Sequence, residues 1–120
     1  MKVLRLLSLL ILFTATGCER HDDIPCTTEA RAGIVVIVTD RATNTPLTDS
    51  VTISISDATG YNEPLQNHGN GFYYGAYERR GNYSLSVSRP GYQAYNASNI
   101  LVEADDCHVI TKNVEVKLLR

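Results

Sequence analysis

Three histidines, three cysteines and thirteen carboxylates are the groups from which this 120-residue chain could build a reaction. Covalent or acid–base catalysis needs a nucleophile, a base within hydrogen-bond reach and a third group that orients the base. His21 lies in a polar stretch, His68 in a Gly-Asn turn and His108 beside Cys107. None belongs to a zinc-type His-x-x-Glu spacing, and the chain has no Gly-x-Ser-x-Gly elbow. Gly69-Asn70-Gly71 precedes a strand-like run and not a helix, so it reads as a hairpin turn and not as a phosphate loop. Asp105 and Asp106, with Glu103 nearby, fall short of the six or more oxygens that hold Ca2+ and read as a turn. The expectation is no catalytic residue, no metal, no cofactor and no enzyme. Only a meeting of His68 or His108 with carboxylates in the fold would reverse it.

The remaining chemistry is recognition. Tyr73 and Tyr77 fall on one face of a strand with Gly75 between them, which implies a flat notch flanked by two rings, able to stack on sugars or on a partner's side chains. Cross-strand packing at the edge of the core is the alternative use of the same rings. Arg79 and Arg80 read as solvated turn residues, with anionic lipid headgroups as the other contact open to them and to Arg89. Eleven basic against thirteen acidic residues give −2, and without Lys2 and Arg5 the balance is 9 − 13 = −4, which argues against a nucleic-acid partner.

These residues need strands to position them. Gly33 to Asp40 (GIVVIVTD) is a continuous β-branched run, suited to a central strand covered on both faces. Val51, Ile53 and Ile55 alternate with polar residues, and Tyr83, Leu85 and Val87 alternate with serines in the clearest period-two pattern of the chain. Residues 58–70 are rich in Gly, Asn and Pro and have room for a short edge strand near Pro64 to Gln66. Phe72 to Glu78 and Tyr83 to Ser88 read as a central hairpin turning at Arg79-Arg80-Gly81. Further strands are expected at Tyr92 to Ala97, Ile100 to Glu103 and Cys107 to Leu119, the last with a bulge or bend near Thr111 to Asn113 where the apolar parity changes. Nowhere does a 3.6-residue period persist. About seven short strands imply an all-β, antiparallel, Greek-key-type sandwich.

Ahead of this domain, two cations, an apolar run from Leu6 to Phe13 and small residues up to Gly17 form a secretory signal over residues 1–17, too short to span a bilayer. Ala15-Thr16-Gly17-Cys18 resembles the lipobox of bacterial lipoproteins, which implies lipidation at Cys18 and an anchor of several acyl chains. Glu19, where inner-membrane retention would use aspartate, leans the resemblance toward the outer membrane, facing periplasm or surface. With Cys18 taken by lipid, Cys26 and Cys107 remain as a pair in an oxidising compartment, and a disulfide is expected, two buried thiols being the alternative. Residues 18–32 are then lipidated cysteine and polar tether, and residues 33–120 the domain. If Cys26 is stapled, the free part, Glu19 to Pro25, reaches only about 25 Å.

The order VTDRATNTPL, VTISI, GNGFY, GNYSLSVSRPGY and VEVKL resembles the carboxypeptidase regulatory-like domain, a transthyretin-like sandwich, over about Gly33 to Leu118. Its most specific piece is G-x-Y-x-L-x-V-x-x-P-G-Y at Gly81 to Tyr92, where Pro90-Gly91 turns Tyr92 back over the sheet. The resemblance implies a non-catalytic module that stabilises or mediates contacts. Related transthyretin-like hydrolases end in Tyr-Arg-Gly-Ser, whereas this chain ends Val-Lys-Leu-Leu-Arg, so that activity is not implied. Taken together, the expectation is a membrane-anchored lipoprotein acting as a protein-interaction or structural module for an envelope protein. The alternative is a carbohydrate- or small-ligand-binding lipoprotein that uses the Tyr73/Tyr77 face on a glycan.

Overall fold

The period-two alternation becomes two packed sheets in the computed structural model, which describes residue 17 and residues 25–120. Of the expected signal segment only Gly17 is described, and the expected lipidation site Cys18, His21 and the expected tether up to Ile24 lie outside the described residues. Nine strands follow in order: β1 (Ile34–Asp40), β2 (Thr52–Ser56), β3 (Asn62–Pro64), β4 (Gln66–Asn67), β5 (Phe72–Gly75), β6 (Gly81–Ser88), β7 (Tyr95–Ala104), β8 (Val109–Ile110) and β9 (Lys112–Leu118). One sheet has the order β4-β5-β1-β9 and the other β3-β2-β6-β7-β8, and no helix is present among the described residues.

Apolar residues of one parity from each sheet fill the space between them. Ile34, Val36, Val38, Val116 and Leu118 come from one side, and Ile53, Ile55, Tyr83, Leu85, Val87 and Val102 from the other, all nearly or completely removed from solvent. Burial of each such side chain contributes about 1.5 to 3 kcal/mol, which is why the alternation fixes the inward face so firmly. Tyr83 adds a polar tie, its hydroxyl donating to the Arg79 carbonyl at 2.9 Å.

The central hairpin is corrected by the register. β5 pairs with β1 and β4, whereas β6 pairs with β2 and β7, so residues 76–80 carry the chain from one sheet to the other. Ala76 and Glu78 take positive φ (52° and 48°), a backbone form uncommon outside glycine, and this ends β5 early and re-aims the chain. A similar transfer occurs at Thr111, where β8 leaves β7 and β9 joins β1. The parity change in the last strand is therefore a bend between sheets. β9 runs parallel to β1, so the sandwich is not antiparallel throughout; such a pair cannot be closed by a tight turn, and here most of the domain intervenes.

The two strands expected at Tyr92 to Ala97 and Ile100 to Glu103 are one. β7 pairs Ala97 with Leu85 but Ile100 with Tyr83, leaving one extra residue on β7, and Asn99 at φ 58° absorbs it. The bulge switches parity, so Tyr95 and Ala97 before it and Ile100 and Val102 after it all face the core. Near Pro64, the edge segment becomes two short strands, β3 and β4, on opposite sheets with Leu65 crossing between them. Gly69, Asn70 and Gly71 all adopt positive φ in the β4–β5 turn, and a Cβ at Gly71 would come within 2.5 Å of the Val38 carbonyl oxygen.

Candidate functional site

The tyrosine notch does not form. Tyr73 is 2 % exposed and belongs to the core, its hydroxyl directed to the Leu47 carbonyl at 2.9 Å and the Thr48 carbonyl at 3.1 Å. Gly75 shares that inward face, and the space a Cβ would occupy is already taken by the Leu65 side chain. Tyr77 lies beyond the end of β5, past the positive-φ Ala76, half-buried, with its hydroxyl 3.5 Å from His68 Nε2. The rings that face outward from β5 are Phe72 and Tyr74, and His68 stacks on Tyr74 with centroids 4.1 Å apart and planes 18° apart.

Chemistry-bearing side chains converge instead at the disulfide. Cys26 and Cys107 are bonded, with their Cα atoms 5.2 Å apart, so the stretch expected as tether is fastened to the domain from Cys26 onward. The next residue on each side is drawn in with them: Thr27 Oγ1 lies 2.8 Å from His108 Nε2. The opposite ring nitrogen, Nδ1, lies 2.6 Å from Glu78 Oε1, and His108 is only 8 % exposed. Glu78 also accepts from the Arg31 amide at 2.8 Å and the Val109 amide at 3.3 Å. Donation from the Arg31 amide, then the contact to His108, holds the Glu78 carboxyl below its ordinary range. Asp105 Oδ1 accepts the Cys107 and His108 amides, which closes the turn before β8 and lowers its own pKa.

Hydroxyl, imidazole and carboxylate in line form the relay of an activated nucleophile; this is the meeting of His108 with a carboxylate that the sequence set as the condition for catalysis, although neither Thr27 nor Glu78 was named for it. Thr27 is exposed, and the surroundings show what the three groups hold together. The neighbouring cavity, about 260 Å3, is lined by Glu78, Arg80, Asp105 and His108 but not by Thr27. Glu78 Oε1 is shared between the ring and a backbone amide, and Thr111 Oγ1 adds a bond to the Ala32 carbonyl at 2.8 Å. The arrangement bonds residues 27–32 to the crossover at Glu78 and to the β7–β8 turn. It works as a fastening that secures the point where the N-terminal chain joins the sandwich.

Two further networks engage charged residues, among them Arg79, which the sequence left as a turn residue. Asp40, 4 % exposed, accepts from Tyr92 Oη at 2.6 Å and from the Ala42 and Thr43 amides, and its carboxyl is lowered to about 2, chiefly by the tyrosine. Arg120 reaches the same pair, so Tyr92 ties the β6–β7 connection to the end of β1. Asp57 is lowered to about 2 by Thr59 and then by Arg79, whose guanidinium lies 2.8 Å from it and 3.6 Å from the Tyr61 ring centroid. Arg79 is thus engaged inside the protein and not presented to headgroups. Arg89 bonds the Asp49 carbonyl at 2.8 Å.

No protein-family model matches the chain, and no curated protein matches it. Surfaces left unsatisfied therefore carry the functional argument. The outer edge of β7 is paired only at Glu103 and Ala104, by β8, so Tyr95 to Val102 has no ladder partner on that side among the described residues. The outer edge of β9 is also open among the described residues, but it carries Lys112, Glu115 and Lys117. Such charges discourage pairing with another chain, whereas β7 has no charged residue and no proline from Tyr95 to Val102.

Proposed function

We propose that this chain is a non-catalytic lipoprotein of the bacterial cell envelope, anchored through Cys18, whose β-sandwich acts as a protein-interaction or structural module. The observation that carries this reading is the open, uncharged edge of β7, with Leu101 52 % exposed beside it. An extended segment of an envelope protein adds to such an edge through main-chain hydrogen bonds, with side-chain contacts setting the choice of partner. The bulge at Asn99 divides the edge into two short stretches, which limits indiscriminate pairing while leaving each stretch available.

The likeness of Gly81 to Tyr92 to the carboxypeptidase regulatory-like pattern supports the same reading, since that resemblance implies a contact-making module. Fastening at Cys26 supports close attachment to the membrane, because a lipid on Cys18 leaves only seven residues of free chain.

The test places a photo-crosslinking residue at Ser98 on the edge or at Ser86 on the outer face of β6, in intact cells. Capture of one defined envelope protein from position 98, absent from position 86 and abolished by Leu101→Lys, is the expected outcome. Equal capture from both positions, or capture indifferent to Leu101→Lys in a folded protein, refutes edge docking.

A further inference from the structure

The two outer faces of the sandwich differ in kind. On the five-stranded sheet the outward positions of β2 and β6 are Thr52, Ser54, Ser56, Ser84, Ser86 and Ser88, an ordinary solvated surface. On the four-stranded sheet the register aligns Gln66, Tyr74, Val35 and Asn113 in one row across all four strands, and Phe72, Ile37 and Glu115 in the next. Half-buried Tyr74, Phe72 and Ile37 form an apolar strip around Val35, itself 9 % exposed, and none of the four belongs to the cluster that fills the space between the sheets. A sheet with one face on the core normally turns polar residues outward, so this strip departs from the pattern its neighbour obeys.

The strip is bordered on both sides by amides. Gln66 and Asn113 are exposed, and neither side-chain amide is bonded elsewhere among the described residues. Each can donate and accept at once, as vicinal hydroxyls do. His68 adds a second ring over Tyr74, with the Tyr77 hydroxyl beside it. A pyranose has an apolar C–H face and a hydroxyl rim, and a flat apolar floor about two strands, or roughly 10 Å, wide between amides is complementary to both features. Glu115 and Lys117 both lie on this face of β9, so its charges balance and it suits a neutral ligand better than an ionic one.

We propose that the outer face of the four-stranded sheet is a binding site for a neutral oligosaccharide, with Tyr74 and His68 as the stacking rings and Gln66 and Asn113 as the hydrogen-bonding amides. It is a second surface, independent of docking at the β7 edge. The aromatic alternation thus yields a glycan platform one residue away from the Tyr73/Tyr77 notch, on the opposite face of β5.

The chain has no tryptophan, so intrinsic tyrosine fluorescence of the full chain in detergent micelles is a direct readout. Neutral gluco-, xylo- and N-acetylglucosamine oligosaccharides are titrated beside charged oligogalacturonate. At least one neutral oligosaccharide is expected to bind. Tyr74→Ala should weaken it tenfold or more, Asn113→Ala several-fold, and Ser86→Ala on the opposite face not at all, each variant melting as the parent does. No saturable binding of any neutral probe at millimolar concentration, preference for the charged probe, or binding that survives Tyr74→Ala overturns the proposal. A photo-crosslinker in place of Tyr74 supplies the second arm. Crosslinks to a protein, to a second copy of the chain or to residues 18–24 assign the face to that occupant and equally overturn it.

Discussion

Replacing Tyr73 with phenylalanine keeps the ring and removes one oxygen, and the structure specifies which groups lose a partner. The hydroxyl is aimed at two carbonyls, those of Leu47 and Thr48. Thr48 also accepts from Asn67 Nδ2 at 2.9 Å and so remains satisfied. The Leu47 carbonyl has no other hydrogen bond among the described residues, and Leu47 is buried, so one acceptor is orphaned in the core. Leaving one such group unpaired costs about 1 to 3 kcal/mol. For a domain of this size the melting temperature should fall on the order of 5 to 15 °C. Tyr73→Ala, which also removes the ring, should cost about 3 to 5 kcal/mol, as aromatic truncations in cores do. The parity control is Tyr74→Phe, whose outward ring predicts a change within about 0.5 kcal/mol. Urea and thermal unfolding of the three variants, followed by circular dichroism, make the measurement. A Tyr73→Phe protein as stable as the parent, or a Tyr74→Phe protein that loses more, would show that the inward face of β5 is assigned wrongly.

Acid should unfold the protein late and through identifiable groups. Asp40 and Asp57 each have a folded pKa of about 2 against an ordinary 3.8, so their stabilisation is complete above the ordinary value and is lost as pH falls toward the folded one. The urea midpoint should therefore decline between about pH 4 and pH 2, and Asp40→Asn should flatten part of that decline; an unchanged slope in the variant would remove Asp40 from the account. Reducing the Cys26–Cys107 bond opens a loop of 81 residues, which on chain-entropy grounds should remove roughly 4 to 5 kcal/mol. A melting temperature unaffected by reductant, with free thiols verified by labelling, would contradict that. Hydrogen exchange should in addition show residues 27–32 losing protection first, since hydrogen bonds alone then hold them.

What the sequence made legible was whatever is written in period two. Ile53 and Ile55 on β2, and Tyr83, Leu85 and Val87 on β6, lie inward as their alternation demands, and the parity change read near Thr111 to Asn113 marks a real event, the bend at Thr111, whereas the bulge at Asn99 was read as a gap between two strands. Pairing partners were not legible, because nothing local distinguishes a hairpin at residues 79–81 from a crossover between sheets. The tyrosine face failed by one residue. Phe72-Tyr73-Tyr74-Gly75 gives large side chains to both parities, and Gly75 looked like a notch only because Leu65, ten residues earlier, was not known to fill it. Thr27, Glu78 and His108 carried a readable hint: Thr27 and His108 each follow a cysteine of the expected pair, so that pairing brings them together. Glu78 had no such marker. Its place depends on a positive-φ backbone that propensity does not predict for glutamate.

The fastening also bears on how the free surfaces can be used. Cys26, Thr27 and Arg31 join the domain at the crossover around Glu78 and at the β7–β8 turn. The β6–β7 connection is held separately, by Tyr92 on Asp40 and Arg120. Neither tie uses the outward residues of β1 and β5 or the unpaired edge of β7 from Tyr95 to Val102. Polar groups that stabilise the fold are thus concentrated at the chain crossings, where backbone donors and acceptors must be satisfied away from the ladders. The surfaces left open are those where satisfaction has to come from outside. This separation predicts that substitutions at Tyr74 or Leu101 change binding without changing stability, and that substitutions at His108 do the reverse.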